Sequence, residues 1–289
     1  MKIAKIIGVI LAAAIAYIVG LAVMGALAPA LHLPTVKPIA SVDPQSAFLS
    51  LAMSSPLLII GLIPLAAGLR GAWIQRCAAI AVLVYVTVGL NTLLELKTFS
   101  TLLDGSPWLA SLMFVLPCLV TAAIVTYAFK AETSAERGFG NFGSGGWAWR
   151  IALGWLAFPV IYWTFGMLIA PIVVPYYQTA NELGLHIPAV PELLRTVFVR
   201  SATFLLASLP LIALWTKSRG RLIFALGLAH AMTVGIFQLV QATFFPVLIR
   251  TTHSIEITAD SFVYAAVLAL LFARKSKAAE PVLSKPMAA

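Results

Sequence analysis

Four residues near the carboxyl-terminal end of the chain, His253, Glu256, Asp260 and Tyr264, are spaced by three, four and four. On a helix that spacing puts them on one face. An imidazole and two carboxylates on one face can take up a cation, pass a proton or hold a polar group of a substrate. Arg250 precedes them and offers a plainer alternative, an ion-pair cluster with Glu256 and Asp260 that only orients the helix. Asp260 lies fourteen residues before Arg274, or ~21 Å at ~1.5 Å per helical residue, a depth at which a carboxylate is costly unless it meets a cavity or a partner.

Two further sets share this character. Thr87, Asn91 and Glu95 recur at four-residue intervals on one helical face. His230, Gln238 and Gln241 form the other set, with His230 ~13 Å from Arg221 along a helix. A histidine at that depth can relay protons or make one interhelical hydrogen bond. Gln238 is one position off the row Thr233, Phe237, Gln241, so these three polar groups are not expected to share a face.

His32, His186 and His253, with Glu95, Glu256 and Asp260, match the ligand types of zinc or another borderline divalent ion. Only number and type fit, because no H-E-x-x-H and no C-x-x-C is present. No cofactor is expected, a divalent metal at His32, His186 and His253 being the exception these ligands allow. In the plainer alternative each repeated histidine caps a helix end or tethers a proline-containing loop. No G-x-x-x-x-G-K-S/T, no G-x-S-x-G and no channel-filter motif occurs.

The elements that position these residues are apolar. Of 289 residues, 61% are hydrophobic and 10% charged, too few charges to cover a soluble protein of this size. The net charge of +9 comes from basic residues at the ends of apolar runs, with no basic stripe or aromatic platform for nucleic acid, so no nucleic-acid partner is expected. Eight runs, roughly 7–29, 47–69, 73–94, 108–129, 150–174, 197–216, 222–247 and 256–273, are candidates to cross the ~30 Å hydrocarbon layer as helices. The last is short unless it begins near His253. The expected fold is an all-α polytopic membrane protein of about eight transmembrane helices. Lys2 and Lys5 give the first run a basic start like that of a signal peptide, but the run is too long for one, and it is read as a span.

Charge bias sets the expected orientation. With both termini inside, the outer segments carry Lys37, Lys97, Arg195, Arg200 and Arg250, and the other fourteen of the nineteen basic residues lie inside. The expected location is a bacterial inner membrane, with both termini cytoplasmic.

The two halves align at a shift of 146 residues. Gly20 meets Gly166, Pro64 meets Pro210, and Thr87-Val88-Gly89 meets Thr233-Val234-Gly235. In the loops, Leu31-His32-Leu33-Pro34 meets Leu185-His186-Ile187-Pro188 at a shift of 154. The reading is two parallel four-helix repeats, 1–130 and 150–275, joined by a Gly-rich linker 131–149 and ending in a disordered tail 276–289. Shared helix-packing habits of Gly and Pro are the alternative. The polar residues differ between halves: Glu95 corresponds to Gln241, and Asp260 to Phe114.

These residues and this topology are compatible with three function classes. The first is passage of a small solute or ion, cation- or proton-coupled, through a site between the repeats, with Asp260, Glu256, Glu95, Asn91, His230, Gln241, His253 and Tyr264 as binding candidates. The second is an outer-interface membrane enzyme using His253, Glu256 and Asp260 as acid–base groups or metal ligands. The third is a non-catalytic subunit, assembly factor or sensor. Expected partners are membrane lipids and the solute, and a membrane protein or second copy in the third class.

Overall fold

A computed structural model describes residues 3–39, 42–129, 131, 138–180 and 183–274. The tail 276–289 lies outside the described residues, as does most of the first part of the 131–149 connector. Eight helices are long and apolar enough to cross a membrane: α1 (Ile3–Leu27), α2 (Pro44–Ala66), α3 (Trp73–Phe99), α4 (Pro107–Ala128), α5 (Ser144–Thr179), α6 (Val190–Leu214), α7 (Arg219–Gln241) and α8 (Val247–Phe272). The chain is an all-α polytopic membrane protein.

Local chemistry sets the helix ends. Asp43 caps α2, accepting the Ser46 backbone N–H at 2.8 Å, with Pro44 in the first turn. That bond, with one from the Ser46 hydroxyl, holds the Asp43 carboxyl below its usual range. Several helices run past the apolar stretches. α6 starts at Val190 rather than 197, because Pro191 suits the first turn and Glu192 favours the positive end of the helix dipole. α8 starts at Val247, just after Pro246, which brings His253 and Glu256 inside the helix. α5 begins at Ser144, ahead of 150. The residues before it are pinned: Gly140 N–H donates to Phe272 O at 3.0 Å, and Phe139 stacks edge-on against Trp147.

α1 packs on α2 and α4, α5 on α6 and α8, α3 on α4 and α6, and α7 on α8 and α2. The interior is apolar, with Leu58, Leu62, Leu65, Ile80, Leu211, Leu226 and Leu268 fully buried. On the outer surface Ile7, Leu11, Ile15 and Val19 recur every four residues and are 51–61% exposed. That stripe is satisfied by lipid and not by water.

Two interruptions stand out in the ladder of helical hydrogen bonds. Tyr85–Leu90 in α3 and Ala231–Ile236 in α7 are π-helical, and the second segment lies 146 residues after the first. A π turn widens the helix by one residue and rotates every later side chain about the helix axis. This rotation corrects an expectation from helical spacing. Regular spacing puts Gln238 off the face of His230 and Gln241, yet all three border one cavity, the π segment lying between His230 and the glutamines. Thr87, expected on the Asn91–Glu95 face, instead turns back on its own helix, its hydroxyl donating to Leu83 O at 2.8 Å.

The face where helix α1 begins, here the terminal face, is closed by paired backbone. Arg70 N–H donates to Leu214 O at 2.9 Å and Thr216 N–H to Gly68 O at 3.1 Å, so the α2–α3 and α6–α7 turns meet as a short antiparallel bridge. On the opposite, distal face the long loops are tied to the α3–α4 turn. Lys37 N–H donates to Leu102 O at 2.9 Å and His186 N–H to Phe99 O at 3.0 Å.

Gly20 and Gly166, aligned in sequence, sit in different surroundings. A Cβ at Gly20 would lie 2.8 Å from the Pro117 backbone, so α1 and α4 touch there. A Cβ at Gly166 would meet nothing within 4 Å. Close packing at Gly20 has no counterpart at Gly166, where α5 borders a cavity.

Candidate functional site

That cavity, about 680 Å³, lies between α2, α3, α5, α6, α7 and α8 and reaches the distal loops. It is within the size range of small-molecule sites. Of the residues singled out from sequence, Glu95, His230, Gln241, His253, Glu256, Asp260 and Tyr264 all border it. Asn91 is fully buried just behind the wall.

The centre of the site is a residue that sequence reasoning misassigned. Arg200, read from the charge bias as belonging to an outer segment, sits ten residues into α6 and is 3% exposed. Its Nη2 pairs with Glu95 Oε1 at 2.7 Å, and its Nε donates to Asn91 Oδ1 at 2.6 Å. One turn closer to the start of α6, the hydroxyls of Thr196 and Thr98 bond at 2.7 Å, fixing α6 against α3. The Ser201 hydroxyl donates to the Trp155 carbonyl, fixing α6 against α5. The guanidinium carbon stands 5.1 Å from the Tyr162 ring centroid and 5.4 Å from that of Phe158. Charge pairing and aromatic faces together hold this cation out of water. The signal in the sequence was Pro191-Glu192, a helix-start pattern that places Arg200 ~15 Å along the helix.

On α8, His253 Nδ1 donates to Glu256 Oε2 at 3.0 Å, and Nε2 stands 3.5 Å from the Tyr177 hydroxyl of α5. Glu256 is 7% exposed, so the pair belongs to the interior and not to the wetted surface. Arg250, expected beside Glu256 and Asp260, lines a separate groove with Ser254 and Thr258 on another face of α8. Asp260 is also 7% exposed, and its closest hydrogen-bond partner is the hydroxyl of the adjacent Ser261 at 3.5 Å. Arg200, Glu95 and Glu256 are all within electrostatic reach of it. Tyr264 turns its hydroxyl to Gly154 O at 3.3 Å and presents its ring to the cavity floor.

His230 closes the bottom between the rings of Phe204 and Tyr264, at 5.8 and 6.3 Å. Its Nδ1 lies 3.0 Å from Leu226 O. A carbonyl only accepts, so Nδ1 carries the hydrogen and Nε2 presents a lone pair. Gln238 donates to Val88 O at 3.1 Å, satisfying a carbonyl in the π segment of α3. Gln241 folds back on Phe237 O at 3.0 Å.

The metal expectation finds no assembled ligand set. Among the described residues no group of three or more His, Cys, Asp or Glu side chains is placed to hold a metal ion. His32 is exposed in a distal turn with left-handed backbone, φ 51°, and His186 is half-buried in the loop after α5. Neither borders the cavity.

Comparison with family models, curated proteins and solved structures gives no match to this chain.

Proposed function

We propose that the chain is a carrier that binds a small solute in this cavity and passes it across the membrane by rocking two four-helix repeats against each other. One observation carries the reading: residues chosen on α3, α7 and α8 for their cost in a membrane, together with Arg200 of α6, converge on one cavity. Ionisable groups buried together at this depth are a mark of substrate and ion pathways.

Several features support the two repeats. Exchanging α1–α4 with α5–α8 maps each of the main helix contacts onto another: α1–α4 onto α5–α8, α1–α2 onto α5–α6, α3–α4 onto α7–α8, and α3–α6 onto α7–α2. The π segments obey the same exchange, and Leu69 pairs with Trp215, its own counterpart, on the terminal face. A parallel repeat has its pseudo-twofold axis along the membrane normal, and rocking about it would break the Leu69–Trp215 bridge. The charge bias puts the terminal face in the cytoplasm of a bacterial inner membrane. The site lies off the axis, since Arg200, His230 and Asp260 correspond to Ser54, Val84 and Phe114.

Ser261 borders the cavity and is 6% exposed, so a cysteine of similar size fits there. In a background with Cys77 and Cys118 replaced by serine, Ser261→Cys should react with an impermeant thiol reagent from the distal side and, in a second population, from the terminal side. Reaction from both sides upholds the carrier. A thiol reached only from the distal side, in membranes sealed in either orientation, rejects it in favour of a one-sided site.

A further inference from the structure

The groups left unpaired in the cavity define the chemistry of what it binds. Two residues of its lining carry a nearly fully buried atom that lacks a hydrogen-bond partner among the described residues, Arg200 Nη1 and His230 Nε2, on residues 3% and 2% exposed. A buried polar atom without a partner is costly, so two on residues that line one cavity mark a place that something polar fills. Their senses differ. Arg200 Nη1 is a donor and requires an acceptor. His230 Nε2, with its lone pair, requires a donor.

The charges add a sign. Glu95, Glu256 and Asp260 all border the cavity. Arg200 answers Glu95 directly, and His253 bonds Glu256. Lys37 at the mouth is engaged by Asp104 at 2.7 Å. Among the described residues, Asp260 has the Ser261 hydroxyl alone at bonding distance, at the 3.5 Å limit. A carboxylate offers about four acceptor positions, so the strongest unanswered group is an acceptor of cations. The rest of the wall is apolar and aromatic, with Phe158, Tyr162, Val173 and Ile257.

We infer that the solute is an organic ammonium compound with an oxygen acceptor and an apolar body: the ammonium on Asp260 with a hydrogen toward His230 Nε2, the oxygen on Arg200 Nη1. This inference rests on the reading of the cavity as a solute site. An anion fails because Glu256 and Asp260 oppose it and Arg200 is already neutralised. A bare inorganic cation leaves the Arg200 Nη1 donor empty. The same chemistry occurs in free amino alcohols and in ethanolamine lipid headgroups, so the test separates these sources.

The full-length protein in phosphatidylcholine nanodiscs is titrated with four probes of one apolar body: phenylalaninol, phenethylamine, 3-phenylpropanol and 3-phenylpropionate. Phenylalaninol should bind best. Phenethylamine, which lacks the oxygen, should bind ~10-fold more weakly, 3-phenylpropanol more weakly still, and the carboxylate not at all. Asp260→Asn, which keeps shape, should weaken phenylalaninol ~10- to 100-fold and leave 3-phenylpropanol unchanged. Nanodiscs made with phosphatidylethanolamine then locate the source: a lost phenylalaninol signal identifies the lipid headgroup, and an unchanged one identifies a free solute. Either result upholds the class. Equal binding of cation and anion, absence of phenylalaninol binding at millimolar concentration, or equal losses for both probes in Asp260→Asn overturns it. Phenylalaninol binding with one-sided Ser261→Cys labelling would keep this ligand class and remove the carrier. Two-sided labelling without binding would do the reverse.

Discussion

Arg200→Ala is expected to destabilise the purified protein by about 2–4 kcal/mol, read as the loss of thermal midpoint in detergent. The figure is at the lower part of the range for breaking a buried ion pair because the Glu95 side chain is 34% exposed and part of its charge stays in contact with water. What the substitution leaves behind is the larger cost: a carboxylate facing no cation, and Asn91 with neither its oxygen nor its nitrogen paired. Arg200→Lys should recover only part of the loss, since an ammonium cannot give Nε to Asn91 and Nη2 to Glu95 at once. Removing both charges, as Arg200→Met with Glu95→Leu, should recover most of the stability but no solute binding. Arg200→Ala with an unchanged midpoint would mean that the Arg200–Glu95 pair is not formed.

Phe237→Ala is expected to cost slightly more, about 3–5 kcal/mol, with the opposite functional signature. Phe237 is 1% exposed and packs edge-on against Tyr17 of α1, ring centroids 5.5 Å apart. It is the counterpart of Asn91 at the 146-residue shift, as Ser54 is of Arg200, so the amide–arginine contact between α3 and α6 is replaced between α7 and α2 by an aromatic residue and a serine. The folded fraction of this variant should bind phenylalaninol as the parent does. A large loss of affinity would place Phe237 in the site and undo the distinction between the polar α3–α6 contact and its apolar α7–α2 counterpart. Phe237→Asn should be worse than Phe237→Ala, because it buries an amide against Tyr17 with nothing to pair it.

The eight helices were legible because length and hydropathy alone decide them. Their ends were less so. The sixth run is drawn from 197, after Arg195, and the eighth from Glu256, but the helices begin seven and nine residues earlier, at Val190 and Val247. The same error hid Arg200. A basic residue near the end of an apolar run reads as a topogenic stop, and only the helix start at Pro191 betrays that it is immersed. Glu95, Glu256, Asp260 and His230 were visible because their types are costly at depth, and the cavity they share depends on packing across six helices, which spacing on one helix cannot report. The π segments explain why Gln238 and His230 come together against a regular helical count. No helical pattern in Tyr85–Leu90 or Ala231–Ile236 announces them, though the repetition of Thr-Val-Gly at both places marked where to look.

Everything proposed for the site requires water at the depth of Asp260. Spin labels attached at Ser261→Cys, on the cavity side of α8, and at Val263→Cys, which is 42% exposed on the lipid side, compare the two environments two residues apart. Collision rates with a water-soluble nickel complex and with oxygen are then read in lipid bilayers. The label at 261 should collide with nickel and the label at 263 with oxygen alone. Nickel exclusion at both positions would mean that Glu95, Asp260 and His230 meet in a dry contact, and the solute site would be lost with it.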